Sequence, residues 1–160
     1  NPGVPVCGRI TGGGCVLHGQ DLIFSLSGRC ETALSALGSV QTSYKLLHEG
    51  VKIGLRASGL DPEFYGCGEP LPKGSDCFDF PVESDLSWKG KKIAGGAQKR
   101  SGGVLLHHES IAIPQGTGCD SLVHGVRKGL EQVFGVTIQN RDLDPELFFA
   151  AERTEKWKKP

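Results

Sequence analysis

The stretch from residue 77 to residue 100 carries the signals that decide the fold, and it reads CFDFPVESDLSWKGKKIAGGAQKR. Two short runs, at 86–88 and 91–93, are separated by a Lys-Gly pair of the kind found in tight hairpin turns. The small residues at 94–97 allow another backbone or a ligand to approach the second strand closely. The stretch therefore predicts an antiparallel hairpin that begins shortly after Cys77.

Turn signals and apolar runs on both sides of this hairpin predict further strands. A Ser-Gly-Gly turn at 101–103 leads into two apolar runs, so the middle third of the chain is expected to form an antiparallel meander. The strands predicted outside the hairpin are residues 4–9, 15–17, 22–26, 104–108, 110–113 and 136–138.

Apolar residues recur at helical spacing in two segments. The first helix is predicted over 41–58 with a stop at Gly59, and the second begins with Asp120 as its cap and ends at Gly135. An Asp-Pro-Glu start at Asp144 predicts a third helix. The apolar stripes are Tyr44, Leu47, Val51 and Leu55 in the first helix and Leu122, Val126, Leu130 and Val133 in the second.

This order of elements predicts an α+β fold, with a mainly antiparallel sheet and packed helices. The length of 160 residues suits a single domain over 1–160. The chain contains no Met, which suggests that it is processed or partial.

The composition argues against several classes of function. Basic and acidic residues balance at 18 each, so no overall field favours nucleic acid or an anionic membrane. No apolar run approaches the roughly 20 residues that span a bilayer, and the first ten residues lack the order of a secretory signal. None of the six cysteines forms a C-x-x-C motif, so the sequence predicts no metal site. For a chain of this length we expect free thiols in a reducing cytoplasm.

The residues themselves suggest acyl transfer, with simpler interpretations beside it. Cys77 ends a long loop rich in Pro and Gly, and lysines follow within one hairpin, so an ammonium near the thiol would favour the reactive thiolate. A cysteine is nevertheless most often a small buried hydrophobe, and paired lysines are often simply solvated. Lys91 and Lys92 alternate on a strand, as do His107 and His108, so only one of each pair faces a given site. Solvation of both histidines is the alternative.

Two motifs resemble those of the biotin/lipoate protein ligase superfamily. The segment RITGGGCVLH, from Arg9 to His18, is similar to the family signature R-x-T-G-G-G-x-V-x-H, and DLIFS at 21–25 is similar to the D-L-x-[YF]-S that follows it. The segment GKKIAGGAQKR at 90–100 resembles its lysine motif, and Cys-Phe-Asp-x-Pro from Cys77 resembles that of the LipM-type octanoyltransferases. The resemblance implies the catalytic-domain fold of that superfamily.

The resemblance also implies roles for individual residues. Cys77 would be the nucleophile and Lys92 the catalytic lysine. The implied substrate-binding residues are Arg9, Thr11, Gly12, Gly13, Gly14, His18, Gly95, Ala97 and His108. The implied reaction transfers an octanoyl group from acyl carrier protein to a lysine of a lipoyl domain or a glycine-cleavage H-type protein. It needs no cofactor, no metal, no nucleic acid and no membrane.

The chain also departs from the family pattern. Gly8 stands where the family often has a second arginine, and His107 and Glu109 replace the commoner Gln and Gly around a matching His-x-Ser-Ile. We expect the chain to lack the family's N-terminal portion and a segment near 114–118. The alternatives are an ATP- and Mg²⁺-dependent lipoate or biotin ligase, and a non-catalytic module that binds an acyl group or a carrier.

Overall fold

The described part of the chain forms one antiparallel sheet and two long helices. The structure, a computed structural model, describes residues 6–30, 37–66 and 82–142. The elements are β1 (Asp21–Arg29), α1 (Val40–Ala57), β2 (Glu63–Phe64), β3 (Leu86–Trp88), β4 (Lys91–Ser101), β5 (Val104–Ala112) and α2 (Cys119–Phe134). The sheet order is β1-β5-β4-β3-β2, with every pairing antiparallel. The predicted α+β class with a mainly antiparallel sheet is confirmed.

The described residues divide into two compact units. Residues 6–10 and 138–142 belong to the smaller one, and Thr11–Thr137 form the larger one, which holds all seven described helices and strands. The expectation of a single domain over 1–160 stays a prediction, as does a missing segment near 114–118.

Tight turns produce the predicted meander. Lys89 and Gly90 both have positive φ, 51° and 74°, which is the mirror-image turn that matches the twist of a two-residue hairpin. The β3–β4 register shifts so that Ser87 pairs with Lys92 whereas Leu86 pairs with Ala94, and β4 therefore carries one extra residue there. A second two-residue turn joins β4 to β5, which is one continuous strand rather than the two predicted.

The two helices pack closely against each other through small residues. The predicted stripe of α1 is buried at Leu47, Val51 and Leu55, while Tyr44 is half-buried. A methyl group on Gly125 of α2 would lie 2.6 Å from the Gly54 carbonyl oxygen, so this crossing requires glycine. In α2, Leu122, Val126 and Leu130 are buried and Val133 is half-buried.

The start of α1 is anchored to β4. The Ser39 hydroxyl caps the helix by accepting a hydrogen bond from the Thr42 amide at 3.0 Å. Arg100, the last residue of the lysine motif, donates to the Leu37 carbonyl at 2.6 Å and to the Ser43 hydroxyl at 2.8 Å. This motif residue therefore supports the fold by fixing α1 against the sheet.

Three predicted strands and one predicted cap are wrong where the structure describes them. Residues 6–9 and 15–17 form no strand, and Leu17 is 68% exposed, since these runs pair with no strand among the described residues. Residues 136–138 are also irregular, because the Val136 amide bonds the Glu131 carbonyl and closes the end of α2. Gly118 rather than Asp120 caps α2, and Asp120 lies in its first turn. Gly135 ends α2 as predicted.

Some predictions fall on residues that the structure leaves undescribed. These are Cys77, most of the loop before it, and the helix expected from Asp144. Among the described residues, no helix is long and apolar enough to cross a membrane.

Candidate active site on one face of the sheet

The central strands β4 and β5 present two chemically different faces. Their register pairs Gly95 with Ser110 and Ala97 with His108, and alternate residues point to opposite sides of a sheet. We call one side the site face, which carries Gly95, Ala97, His108 and Ser110. We call the other the core face, which carries Gly96, Gln98, His107 and Glu109.

A buried ion pair places the predicted catalytic lysine at the site face. Lys92 Nζ lies 2.7 Å from Asp85 Oδ2, and the two side chains are 5% and 4% exposed. The same carboxylate oxygen accepts the Val82 amide at 2.8 Å, which holds Asp85 in a turn before β3. Lys91 is exposed, so the prediction that one of the two lysines points inward is confirmed.

Gly95 leaves room for this ammonium. A methyl group built on Gly95 would lie 2.5 Å from Lys92 Nζ and 3.1 Å from Asp85 Oδ1. The extra residue in β4 brings Lys92 to the side of the strand that Gly95 faces. The glycine of the motif therefore allows a charged side chain to pack directly against the backbone of β4.

A second charged group lies at the other end of the site face. Asp21 Oδ2 is 2.6 Å from His18 Nδ1 and accepts the Ser110 hydroxyl at 2.8 Å, while Oδ1 accepts the Gly19 amide at 3.0 Å. Burial alone would raise the pKa of Asp21, but these hydrogen bonds and the nearby His18 hold it below its ordinary value. Asp21 therefore fixes His18 against β5 as a carboxylate.

The glycine loop reaches the same face through Thr11. The Thr11 hydroxyl is 3.3 Å from His108 Nδ1, and Thr11 is buried. Gly12, Gly13 and Gly14 are exposed in an irregular loop. The loop is therefore tied to β5 at its first residue and leaves its glycine backbone accessible.

The chain was compared with protein families and with curated proteins. The model of the lipoyl protein ligase A/B catalytic domain matches residues 1–116. An octanoyltransferase LipM from an Exiguobacterium species is 38% identical over 120 residues, which is 69% of this chain and 42% of that protein. The LipM of Kyrpidia tusciae is 37% identical over 151 residues, which is 91% of this chain and 44% of that protein.

The chain belongs to the lipoyl protein ligase A/B catalytic domain family. It spans less than half the length of these two curated relatives. The crystal structure of a lipoate-protein ligase A bound with ATP superposes with a TM-score of 0.73 at 20% identity, over 97% of this chain and 72% of that one. A bipartite lipoate protein ligase from Thermoplasma acidophilum gives 0.65 at 19% identity, over 94% and 69%. These two structures confirm the fold.

The larger unit brings most of the predicted site residues of this family domain together. Lys92, Gly95, Ala97 and His108 lie on β4 and β5, Thr11 contacts His108, and His18 is joined to Ser110 through Asp21. Arg9 is exposed and lies in the smaller unit. Cys77 lies outside the described residues.

Three contributors to the site face are absent from the set predicted from the sequence. Asp21 and Ser110 stand inside motifs that the sequence displays, in Asp-Leu-x-Phe-Ser and His-x-Ser-Ile, so the motifs already contained the signal. Asp85 stands in no recognised motif, and only the structure shows it beneath Lys92.

The core face of the family domain carries a separate charged cluster, which we call the His-Glu cluster: His48 of α1 and His107 and Glu109 of β5. Glu109 Oε2 lies 3.0 Å from His48 Nε2 and 2.7 Å from His107 Nε2, and all three side chains are fully buried. The possibility that both β5 histidines are solvated is wrong for His107. Among the described residues, this cluster is the one group whose nitrogen and oxygen atoms converge enough to hold a metal ion.

The ionisation of the cluster follows from its contacts. Burial alone would raise the pKa of Glu109, but the charge of His48 and hydrogen bonds from both histidines lower it to about 2. Burial alone would lower the pKa of His48, but Glu109 and the carbonyl of Ser84, which faces Nδ1, raise it. Glu109 is therefore held as a buried carboxylate between two imidazoles.

Proposed function

We propose that this chain carries the catalytic centre of an octanoyltransferase, which moves an octanoyl group from acyl carrier protein to a lysine of a lipoyl-accepting protein. The observation that carries the proposal is the 37–38% identity to curated octanoyltransferases LipM. The Cys-Phe-Asp-x-Pro segment from Cys77 supports it, because a transferase that uses a covalent intermediate needs a nucleophile.

The proposed reaction has two transfers. The Cys77 thiolate attacks the carbonyl carbon of the octanoyl thioester, and the bond from that carbon to the carrier's sulfur breaks, so the carrier leaves as a thiolate. The neutral amine of the acceptor lysine then attacks this new thioester, forms an amide, and releases the Cys77 thiolate and a proton. A thioester is already activated, so neither transfer needs a nucleotide or a metal.

Lys92 is proposed to stabilise the negative charge that develops on the carbonyl oxygen of the thioester. Its ammonium is held by Asp85 beside the flat surface that Gly95 provides, so it is oriented before the substrate binds. Such a fixed cation stabilises an oxyanion more than a solvated one does, and it favours a thiolate nearby. The exposed amides of Gly12, Gly13 and Gly14 are proposed as further oxyanion donors.

The remaining substrate-binding assignments follow from the site face. Ala97 and His108 line the sheet beside Gly95, and Thr11 and His18 tie the glycine loop to it. These residues are proposed to contact the acyl chain and its thioester, and the role of Arg9 stays a prediction from the family resemblance.

The proposed partners are octanoyl-acyl carrier protein as donor and a lipoyl domain or glycine-cleavage H-type protein as acceptor. The Thermoplasma acidophilum ligase of the same fold was studied with its E2 lipoyl domain, which supports an acceptor of this class. The proposed location is the cytoplasm, which agrees with the free thiols of Cys7, Cys15, Cys30 and Cys119.

The test is the covalent intermediate. The protein is incubated with octanoyl-acyl carrier protein without ATP, and intact mass is measured before and after addition of a lipoyl domain. We expect one octanoyl adduct that is chased onto the lipoyl domain, and no adduct in Cys77→Ala. Cys15→Ala is the matched control, because Cys15 is an exposed free thiol of the glycine loop.

Three other results would contradict the proposal. An adduct that persists in Cys77→Ala would exclude Cys77 as the nucleophile. Transfer that requires ATP and free octanoate or lipoate would identify an ATP-dependent ligase. Tight binding of the carrier with no adduct and no transfer would identify a non-catalytic binding module.

A further inference from the structure

The His-Glu cluster has the donor set of a metal centre. His48 Nε2, His107 Nε2 and Glu109 Oε2 all lie within 4.8 Å of one another in the fully buried layer between α1 and β5. Two imidazoles and one carboxylate are a common set of protein ligands for Zn²⁺ and Fe²⁺. Carboxylates and imidazoles are seldom buried together without either shared protons or a metal ion.

The spacing of these atoms is close to that of ligands on one ion. Two ligands at right angles on a metal with bonds of about 2.1 Å lie about 3 Å apart. The observed separations of 3.0 Å and 2.7 Å from Glu109 Oε2 to the two histidine nitrogens differ from that value by a few tenths of an ångström at most. A small outward movement of the three side chains would therefore admit an ion.

The surroundings favour binding through these atoms. His48 Nδ1 faces the Ser84 carbonyl, and a hydrogen bond donated from Nδ1 keeps the proton on that atom, so the loss of the proton from Nε2 directs the Nε2 lone pair at the cluster. Within the part of the chain that the structure describes, Glu109 Oε1 and His107 Nδ1 are buried without a hydrogen-bond partner. Oε1 therefore has the capacity for a second bond to the same ion, which would satisfy it.

Gly96 of β4 lies against the His-Glu cluster, and its lack of a side chain leaves space for the cluster. A methyl group on Gly96 would lie 2.7 Å from Glu109 Oε2 and 2.8 Å from His107 Nε2. Tyr44 packs its ring edge-on against His107, with 5.8 Å between centroids, and closes the cluster on the α1 side. A site so enclosed has no place for a substrate.

From these observations we infer that His48, His107 and Glu109 form a structural site for one divalent first-row transition metal ion, which joins α1 to β5 beneath the sheet. Each Nε2 atom that binds the ion gives up its proton to solvent. The site differs from the proposed catalytic centre, which lies on the opposite face. It also departs from the sequence-based expectation of no metal.

The test measures metal content and stability directly, with no assay of activity. The protein is unfolded in denaturant that contains a chelator, and it is then refolded with Zn²⁺, with Co²⁺ or without metal. After desalting, the bound metal per chain is measured by mass spectrometry. We expect one ion per chain and a melting temperature several degrees higher with metal, because ligands that bind only the folded state stabilise it. Co²⁺ should give the visible absorption of a nitrogen- and oxygen-ligated ion.

Variants locate the ion. Glu109→Gln keeps the shape of the side chain and should reduce metal affinity at least tenfold. His124→Asn is the matched control, because His124 is exposed on α2, and it should retain one ion. If Glu109→Gln fails to fold, the Co²⁺ spectrum of the unaltered protein decides alone, since an intense sulfur-to-metal band would assign the ion to cysteine.

Three results would overturn the inference. One is less than one ion per chain after refolding with metal. Another is unchanged metal retention in a folded Glu109→Gln. The third is a melting temperature that metal leaves unaltered. Any of these would show that the cluster is held by shared protons alone.

Discussion

The two faces of the β4–β5 sheet both have charged groups beside them, but these groups differ in their exposure to solvent. On the site face, the Asp21 side chain is 10% exposed and is hydrogen-bonded to His18, which is 49% exposed. On the core face, His48, His107 and Glu109 are fully enclosed by the α1 layer. Strand alternation therefore places the partly exposed groups that we propose for substrate binding on one face and the fully enclosed groups on the other.

Lys92 provides the most severe test of this division, because it combines burial with a proposed catalytic role. Lys92→Met leaves the Asp85 carboxylate buried without its cation, and breaking a buried pair costs about 3–5 kcal/mol. Octanoyl transfer should fall about 100- to 1000-fold, the usual loss when one group that stabilises an oxyanion is removed. Urea unfolding and the transfer assay measure the two effects.

A double variant separates stability from catalysis at this pair. Adding Asp85→Asn to Lys92→Met removes the unpaired charge and should restore most of the free energy of unfolding, while transfer stays low. Recovery of transfer in the double variant would mean that Lys92 serves only the fold.

Gly96→Ala tests the core face and has the next largest expected effect. Its methyl group would press on the Glu109 carboxylate and the His107 ring, and burial holds both of these groups in place. Overpacking of this kind costs about 1–3 kcal/mol, so the urea midpoint should fall clearly. A midpoint equal to that of the unaltered protein would mean that the core face has room for a side chain.

The elements around these faces could largely be predicted from local sequence signals. The β3–β4 hairpin follows from Lys89 and Gly90, and α1 follows from an apolar repeat whose predicted bounds differ by one residue at each end. Such signals are local, because turn geometry and helical spacing need no distant partner.

The misjudged parts depend on distant partners. Residues 15–17 are apolar enough for a strand, but a strand requires a neighbour to pair with. The cluster that His107 and Glu109 form with His48 could not be predicted from the sequence, since His48 lies 61 residues before Glu109 in the chain. Asp85 was missed for another reason, because its importance comes from the ion pair with Lys92, which no recognised motif displays.

Gly95→Ala is the counterpart of Gly96→Ala on the site face, and its expected effect on stability is smaller. The added methyl group meets the far end of the Lys92 side chain, which is flexible and can shift while its ammonium stays paired with Asp85. The free energy of unfolding should therefore change by about 1 kcal/mol or less. Displacing the ammonium should nevertheless lower octanoyl transfer about 100-fold. Equal losses of stability in the two alanine variants would contradict the division into two faces.

The pH dependence of stability gives the finest test of the site face, through Asp21. Hydrogen bonds from His18, Gly19 and Ser110 hold the pKa of Asp21 below its unfolded value of 3.8. A carboxyl group whose folded pKa is depressed contributes stability above its unfolded pKa and loses it as pH falls toward the folded pKa.

Asp21→Asn should therefore lower the free energy of unfolding at neutral pH, and its difference from the unaltered protein should shrink as pH falls below about 4. Asp120→Asn, in the exposed first turn of α2, is the matched control for the removal of one carboxylate. A difference for Asp21→Asn that stays constant from pH 7 to pH 3 would show that the carboxylate does not carry the contacts between β1, β5 and the glycine loop.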